Sequence, residues 1–201
     1  MCSNRDMNDQ PARRQRVRRL WNTLATMGML AAVVAAMLPC HAAEPPIAVR
    51  PVDHAELMDE VAKHRGKVVV LDCWSTSCPP CVKEFPGLVR LANTHPDAIV
   101  CLSLALDYEG VGAVEEVLPP VAGFLDKVDA RAVVNMLSRE EADAMYRKLD
   151  LASVPAVFIW RADGSLAMRF DEESALRTLG RPFTYADIDA TVRDLLTSAP
   201  H

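Results

Sequence analysis

The sequence predicts an α/β sandwich, a central mixed β-sheet flanked by helices on both faces. Two short apolar runs rich in β-branched residues, Val68–Cys73 and Ala98–Leu106, suit strands buried on both faces. Each is followed by residues at helical spacing, and an Asp-Gly turn late in the chain joins two further strands. Strand, helix, strand, helix, then hairpin and helix is the order of a mixed sheet covered on both sides.

At 201 residues, half of them hydrophobic, the chain can build one core and still carry an appendage. A formal charge of -5 gives no reason to expect a nucleic-acid partner, and the basic residues pile up at the front. Arg13 to Arg19 reads RRQRVRR, and Leu20 to Leu38 is apolar except for Asn22, Thr23 and Thr26. A basic flank before an apolar run is an export signal, so residues 1–43 are set apart, with cleavage after Ala42 or Ala43. The alternative is a retained N-terminal membrane anchor, because the run approaches the roughly 20 residues that span a bilayer. Lipidation at Cys40 is disfavoured, since Met37-Leu38-Pro39 lacks a small residue before the cysteine, and neither arginine pair precedes a convincing twin-arginine consensus. The expected location is the periplasm or the outer face of the cytoplasmic membrane.

Residues 44–51, with three prolines, read as an extended lead-in to a domain over residues 52–198. Asp53 caps a helix running to about His64, which Arg65-Gly66-Lys67 closes. After the first strand, Val82 to Asn93 places Phe85, Leu88, Val89, Leu91 and Ala92 at helical spacing, with Pro86 expected to kink the helix. The second strand leads through a turn at Asp107–Gly112 into a helical stretch from about Ala113 to Val128, interrupted by Pro119-Pro120. Ala130–Leu137 reads as a short edge strand, and Ser138-Arg139-Glu140-Glu141 as a capping box opening a helix to about Leu149. Val154–Trp160 and Leu166–Phe170 flank Asp163-Gly164 as a β-hairpin. Thr184–Leu196 closes the chain as an amphipathic helix with Ile188, Val192, Leu195 and Leu196 on one face.

The chemistry concentrates in Trp74-Ser75-Thr76-Ser77-Cys78-Pro79-Pro80-Cys81. Two cysteines with two residues between them, at a strand-to-helix junction, can close a small disulfide. The helix N-terminus favours the thiolate of the first, so Cys78 is the expected nucleophile and Cys81, further into the helix, the resolving thiol. Pro79 and Pro80 remove two backbone donors that could otherwise reach the Cys78 sulfur, while their fixed φ suits a first helical turn.

Trp74 to Pro86, WSTSCPPCVKEFP, resembles the active-site segment of thioredoxin-fold proteins, most closely the exported reducing members of the TlpA/ResA type. Ser153-Val154-Pro155 before a strand is a second match, and the resemblance spans roughly Val52 to Leu196. It implies a thioredoxin fold and a cis bond before Pro155, beside the disulfide. It also implies that Asp72 is the buried acid accepting the proton of Cys81, its proton affinity raised by desolvation. By the same comparison Glu84 lies near the site and handles protons, Trp74 forms an aromatic wall over the disulfide, with a plain core tryptophan as the alternative, and Val154 offers backbone hydrogen bonds to an extended substrate. Ser77, Ala156 and Phe170-Asp171 depart from the pattern and bear on substrate preference.

The implied partners are protein disulfides, such as apocytochromes carrying CxxCH, and a membrane thiol reductase as electron donor. The implied working form is a monomer without a cofactor. Two other classes compete. Cys73, Cys78 and Cys81 with Cys101 overlap an iron-sulfur spacing, but Cys73 and Cys101 fall inside apolar strands, and none of the five histidines lies at ligand spacing for zinc. No metal site is expected. The more serious rival is a thioredoxin-fold binding or assembly module whose disulfide is only structural.

Overall fold

The computed structural model describes residues 45–198, so the expected export signal, Cys40 included, lies outside the described residues. Six strands form one mixed sheet: β1 (Arg50–Val52), β2 (Val68–Trp74), β3 (Ile99–Ala105), β4 (Val134–Ser138), β5 (Ala156–Trp160) and β6 (Leu166–Phe170), in the order β1-β4-β3-β2-β5-β6. β2 is central, parallel to β3 and antiparallel to β5; β4 is parallel to both β3 and β1, and β5 and β6 form the expected hairpin. Helices are α1 (His54–Lys63), α2 (Pro79–Glu84), α3 (Pro86–Thr94), α4 (Leu118–Lys127), α5 (Ala142–Leu149), α6 (Glu172–Leu179) and α7 (Tyr185–Ser198).

Period-two alternation along the central strands divides the core between two faces. Val69, Leu71 and Cys73 of β2, with Leu102, Leu104, Met136, Phe158 and Trp160, pack against Leu57 and Val61 of α1 and Met145 of α5. Val70 and Trp74, with Ile99, Cys101, Val157 and Ile159, pack against Cys81, Phe85, Leu88, Val121, Leu125, Tyr185, Ile188 and Val192 of α2, α3, α4 and α7. Each fully buried leucine on either face contributes about 1.5–3 kcal/mol of apolar burial. The two free cysteines, Cys73 and Cys101, are buried on opposite faces, as befits small hydrophobes.

The proline-marked boundaries resolve cleanly. Pro86 interrupts the hydrogen-bond ladder between α2 and α3 while Phe85 stays in the right-handed helical region, at φ -51° and ψ -36°. Pro119 and Pro120 do not break a helix; they sit in the first turn of α4, where a missing N–H costs nothing, after a 3-10 turn at Val114–Glu116.

Three expectations need correction, and one helix is additional. The lead-in is part of the domain, because Ile47 is buried and Arg50–Val52 pairs with β4 through Arg50 and Met136. That pairing makes β1 the edge and moves β4 inside the sheet. The box at Ser138–Glu141 does not cap α5: Ser138 ends β4, its Oγ accepts the Glu140 N–H, and Glu140 Oε1 accepts the N–H of His54. Helix α6 was not expected, although Asp171 accepts the Ser174 N–H at 2.7 Å and Gly180 closes the helix at φ 68°.

Candidate functional site

The strand-to-helix junction at the end of β2 builds the site. Cys78 is the N-cap of α2, with extended backbone at φ -98° and ψ 101°, and Pro79 and Pro80 follow it in the first turn. Cys78 and Cys81 form a disulfide with Cα atoms 5.3 Å apart. With both prolines lacking an N–H, Cys81 supplies the donor that reaches the first sulfur: its N–H points to Cys78 Sγ at 3.3 Å. Cys78 is half-buried and Cys81 is 3 % exposed, so an approaching molecule meets the first sulfur.

The loop in front of Cys78 is held from β3. Asp107 Oδ1 accepts the Thr76 N–H at 2.9 Å, the Ser75 hydroxyl at 3.2 Å and the Thr76 hydroxyl, while the Cys78 N–H donates to Ser75 O at 3.1 Å. Asp107 was not foreseen; in sequence it is a single acid at the end of an apolar strand.

Val154-Pro155 is a cis peptide. The turn it makes brings the Val154 carbonyl oxygen to 3.7 Å from Cys78 Sγ, a contact that becomes a hydrogen bond only when Cys78 is a thiol. Pro79, Pro80, Val154 and Pro155 keep exposed or half-exposed surface around the disulfide. Trp74 does not: it has no exposed surface and packs against Phe85 and Phe124 at ring-centroid distances of 4.9 and 4.8 Å. Its position on the inward face at the end of β2 makes it core beneath the site rather than a wall over the disulfide.

Asp72 is 4 % exposed and shares the inward face of β2 with Val70 and Trp74. Desolvation pushes its carboxyl up to about 7, against the opposing effect of a hydrogen bond donated by the Tyr185 hydroxyl to Oδ2. Oδ1 is buried and, among the described residues, has no hydrogen-bond partner. Across the sheet Asp72 registers with Ser103 and Ser103 with Asn135, giving a buried polar row on this face. Ser103 and Asn135 are satisfied: the Ser103 hydroxyl donates to Asn135 Oδ1, and Asn135 Nδ2 donates to Ala130 O and Val133 O.

Glu84 stands at the end of α2, partly exposed, where Oε2 accepts the Tyr185 N–H at 3.3 Å and Oε1 lies 4.0 Å from Lys83 Nζ. The structure thus ties Glu84 to the start of α7. Tyr185, which the sequence reading passed over, carried a usable signal: it lies one helical turn before Ile188 on the apolar stripe of α7. No group of three or more His, Cys, Asp or Glu side chains among the described residues is arranged to hold a metal ion.

No protein-family model matches the sequence. Solved structures do. A thiol-disulfide isomerase from Corynebacterium glutamicum aligns with a TM-score of 0.54 at 15% identity, over 78% of this chain and 99% of that one. A thioredoxin-like superfamily protein aligns with a TM-score of 0.51 at 19% identity, over 70% and 87%. The exposed lipoprotein thioredoxin of Streptococcus pneumoniae gives 0.50 at 16% identity, over 67% and 90%. With a strand-to-helix CxxC, a cis-proline beside it and a mixed sheet between two helical layers, the chain adopts the thioredoxin fold.

Proposed function

We propose that this chain is an exported thiol-disulfide oxidoreductase that reduces protein disulfides through the Cys78–Cys81 couple. The observation that carries the reading is the asymmetry of the pair: Cys78 is accessible at a helix start, with the Cys81 N–H on its sulfur, and Cys81 is buried behind it. A donor at the sulfur and the positive end of a helix favour the thiolate of Cys78.

In the reducing direction, the Cys78 thiolate attacks a substrate disulfide. A Cys78–substrate S–S bond forms and the first substrate thiolate leaves. Cys81 then gives up its proton and attacks Cys78, and the second substrate thiolate departs as the Cys78–Cys81 bond closes. Asp72 is the proposed acceptor of that proton, since its carboxyl titrates near neutrality and lies on the sheet face that packs Cys81. Pro79, Pro80, Val154 and Pro155 form the proposed docking rim, with the Val154 main chain pairing with an extended substrate. The proposed working form is a monomer, with a membrane thiol reductase returning two electrons to the couple. The apocytochrome CxxCH is the proposed substrate class, and the periplasm or the outer face of the cytoplasmic membrane the proposed location.

Equilibrating the protein with a glutathione or dithiothreitol redox buffer, followed by alkylation and mass measurement, tests this directly. A potential near about -270 mV, the range of thioredoxin, supports a reductant, and one near about -120 mV an oxidant. A pair that never titrates leaves a binding or assembly module with a structural disulfide.

A further inference from the structure

Asp72 has two oxygens in different situations, and the difference points to a role for a residue outside the CxxC segment. Oδ2 takes the Tyr185 hydroxyl; Oδ1, equally enclosed, takes nothing among the described residues. Tyr185 is itself 2 % exposed, so its hydroxyl has been brought into the core at the cost of desolvation and finds its acceptor there.

Two neighbours aim the ring. Gly87 in α3 leaves the space it occupies: a Cβ at Gly87 would lie 2.1 Å from Tyr185 Cγ, closer than atoms can approach. Glu84 Oε2 takes the Tyr185 N–H and fixes the first residue of α7 against the end of α2. The helix that carries Cys81 therefore ends on the residue that takes the Tyr185 backbone N–H.

We propose that Tyr185 is a positioning residue for the second half-reaction: its hydroxyl fixes Asp72 through Oδ2 and leaves Oδ1 as the acceptor for the Cys81 proton. The inference rests on the oxidoreductase reading above. In the step concerned, the S–H bond of Cys81 breaks and its proton passes to Asp72. The Cys81 sulfur bonds to Cys78, and the Cys78–substrate bond breaks with its electron pair on the departing thiolate. Tyr185 transfers nothing; its hydrogen bond favours the carboxylate form against desolvation.

The other groups around Asp72 leave this assignment to Tyr185. From β3, Ser103 spends its proton on Asn135, and Cys101 is a buried thiol pushed up to about 12 by desolvation. Cys73 points to the opposite face, and β5 presents Val157 at the paired position. Asp189 of α7 acts on Tyr185 only as a negative charge and Glu84 of α2 accepts its backbone N–H, so neither offers Asp72 a donor, whereas Tyr185 does.

The test uses a full-length protein carrying a preformed Cys78–glutathione mixed disulfide, with glutathione release followed against pH. The midpoint of the rate–pH profile should move up by about one unit in Tyr185→Phe, because losing the donor raises the proton affinity of Asp72. The shift should vanish in an Asp72→Asn background. A folded Tyr185→Phe protein with an unmoved midpoint, or a shift that persists without Asp72, overturns the assignment. Should that variant fail to fold, 3-fluorotyrosine incorporation serves instead. Its more acidic phenol donates a stronger hydrogen bond and should lower the midpoint, and an unmoved midpoint overturns the assignment equally. A wild-type mixed disulfide that releases no glutathione at any pH overturns the oxidoreductase reading and this proposal together.

Discussion

The two faces of β2 are built from the same seven residues, VVVLDCW, and they have been given different work. On one face Val69, Leu71 and Cys73 sit in an apolar layer closed by Leu57 and Val61 of α1 and Met145 of α5. On the other, Val70 and Trp74 flank Asp72, and the row Asp72, Ser103 and Asn135 crosses the sheet. Alternation places Asp72 and Cys73, neighbours in sequence, on opposite sides. The hydrophobic contacts of that face supply stability that does not depend on pH. The site face holds a carboxylate whose charged form is costly, and that cost is what brings its titration into the range useful for thiol chemistry.

The largest effect should come from the apolar face. Leu71 has no exposed surface, and Leu71→Ala should cost about 4 kcal/mol, within the roughly 2–5 kcal/mol that leucine truncations remove. Denaturant melts at pH 4 and pH 8 should show the same loss, and the Cys78–Cys81 equilibrium with glutathione should be unchanged in the folded variant. A loss that depends on pH would mean that the two faces are coupled through the strand.

Asp72→Asn should do the opposite. Because the folded carboxyl is raised from 3.8 to about 7, folding is favoured by protonation: the penalty is absent below pH 3.8, grows as pH rises, and is complete above about 7. The shift of about three units corresponds to an upper figure of about 4 kcal/mol. The amide still buries a polar group, so a gain of about 2–3 kcal/mol at pH 8, and none at pH 3, is expected in urea melts. No pH dependence in the difference between the two proteins would show that Asp72 is not buried as a titrating acid.

Much of the apolar face was legible in the sequence, and less of the site face, for physical reasons. Continuous apolar runs specify buried central strands, and the CxxC and Val154-Pro155 specify their own surroundings through local chemistry. The hydrogen bonds of Asp72 and Asp107 join residues far apart in the chain, Tyr185 to Asp72 and Asp107 to Thr76, and no local pattern encodes such pairs. Strand β1, which takes the edge, was not legible because three residues, one of them proline, carry almost no strand signal and depend on β4 for their pairing. Helix α6 is a different case: Asp171, two glutamates in the first turn and Gly180 were all visible, but too few apolar residues lay between them to suggest a packed helix.

Gly87→Ala sharpens the comparison at closer range. Alanine is the better helix former by about 1 kcal/mol, yet its Cβ would collide with the Tyr185 ring, and overpacking of this kind costs about 1–3 kcal/mol. A net loss of up to about 2 kcal/mol is expected by thermal or urea denaturation, together with an upward shift in the pH midpoint of mixed-disulfide release as the phenol is pushed from Asp72. Destabilisation without that shift would mean that α7 moves as a body and carries the hydrogen bond with it.

The smallest effect should come from Asp171, at the rim of the site face. Its carboxylate accepts the Ser174 N–H at 2.7 Å, and its own N–H donates to Ser174 Oγ at 3.0 Å, so Asp171→Ala removes the acceptor half of a reciprocal cap. Loss of such a cap typically costs about 1 kcal/mol, which a urea melt at pH 7 resolves. The redox equilibrium of Cys78–Cys81 should stay as it was, since α6 makes none of the hydrogen bonds that hold Cys78 or Asp72. A changed potential in Asp171→Ala would extend the site face beyond α7 and make the β6–α6 corner part of the machinery that sets the disulfide.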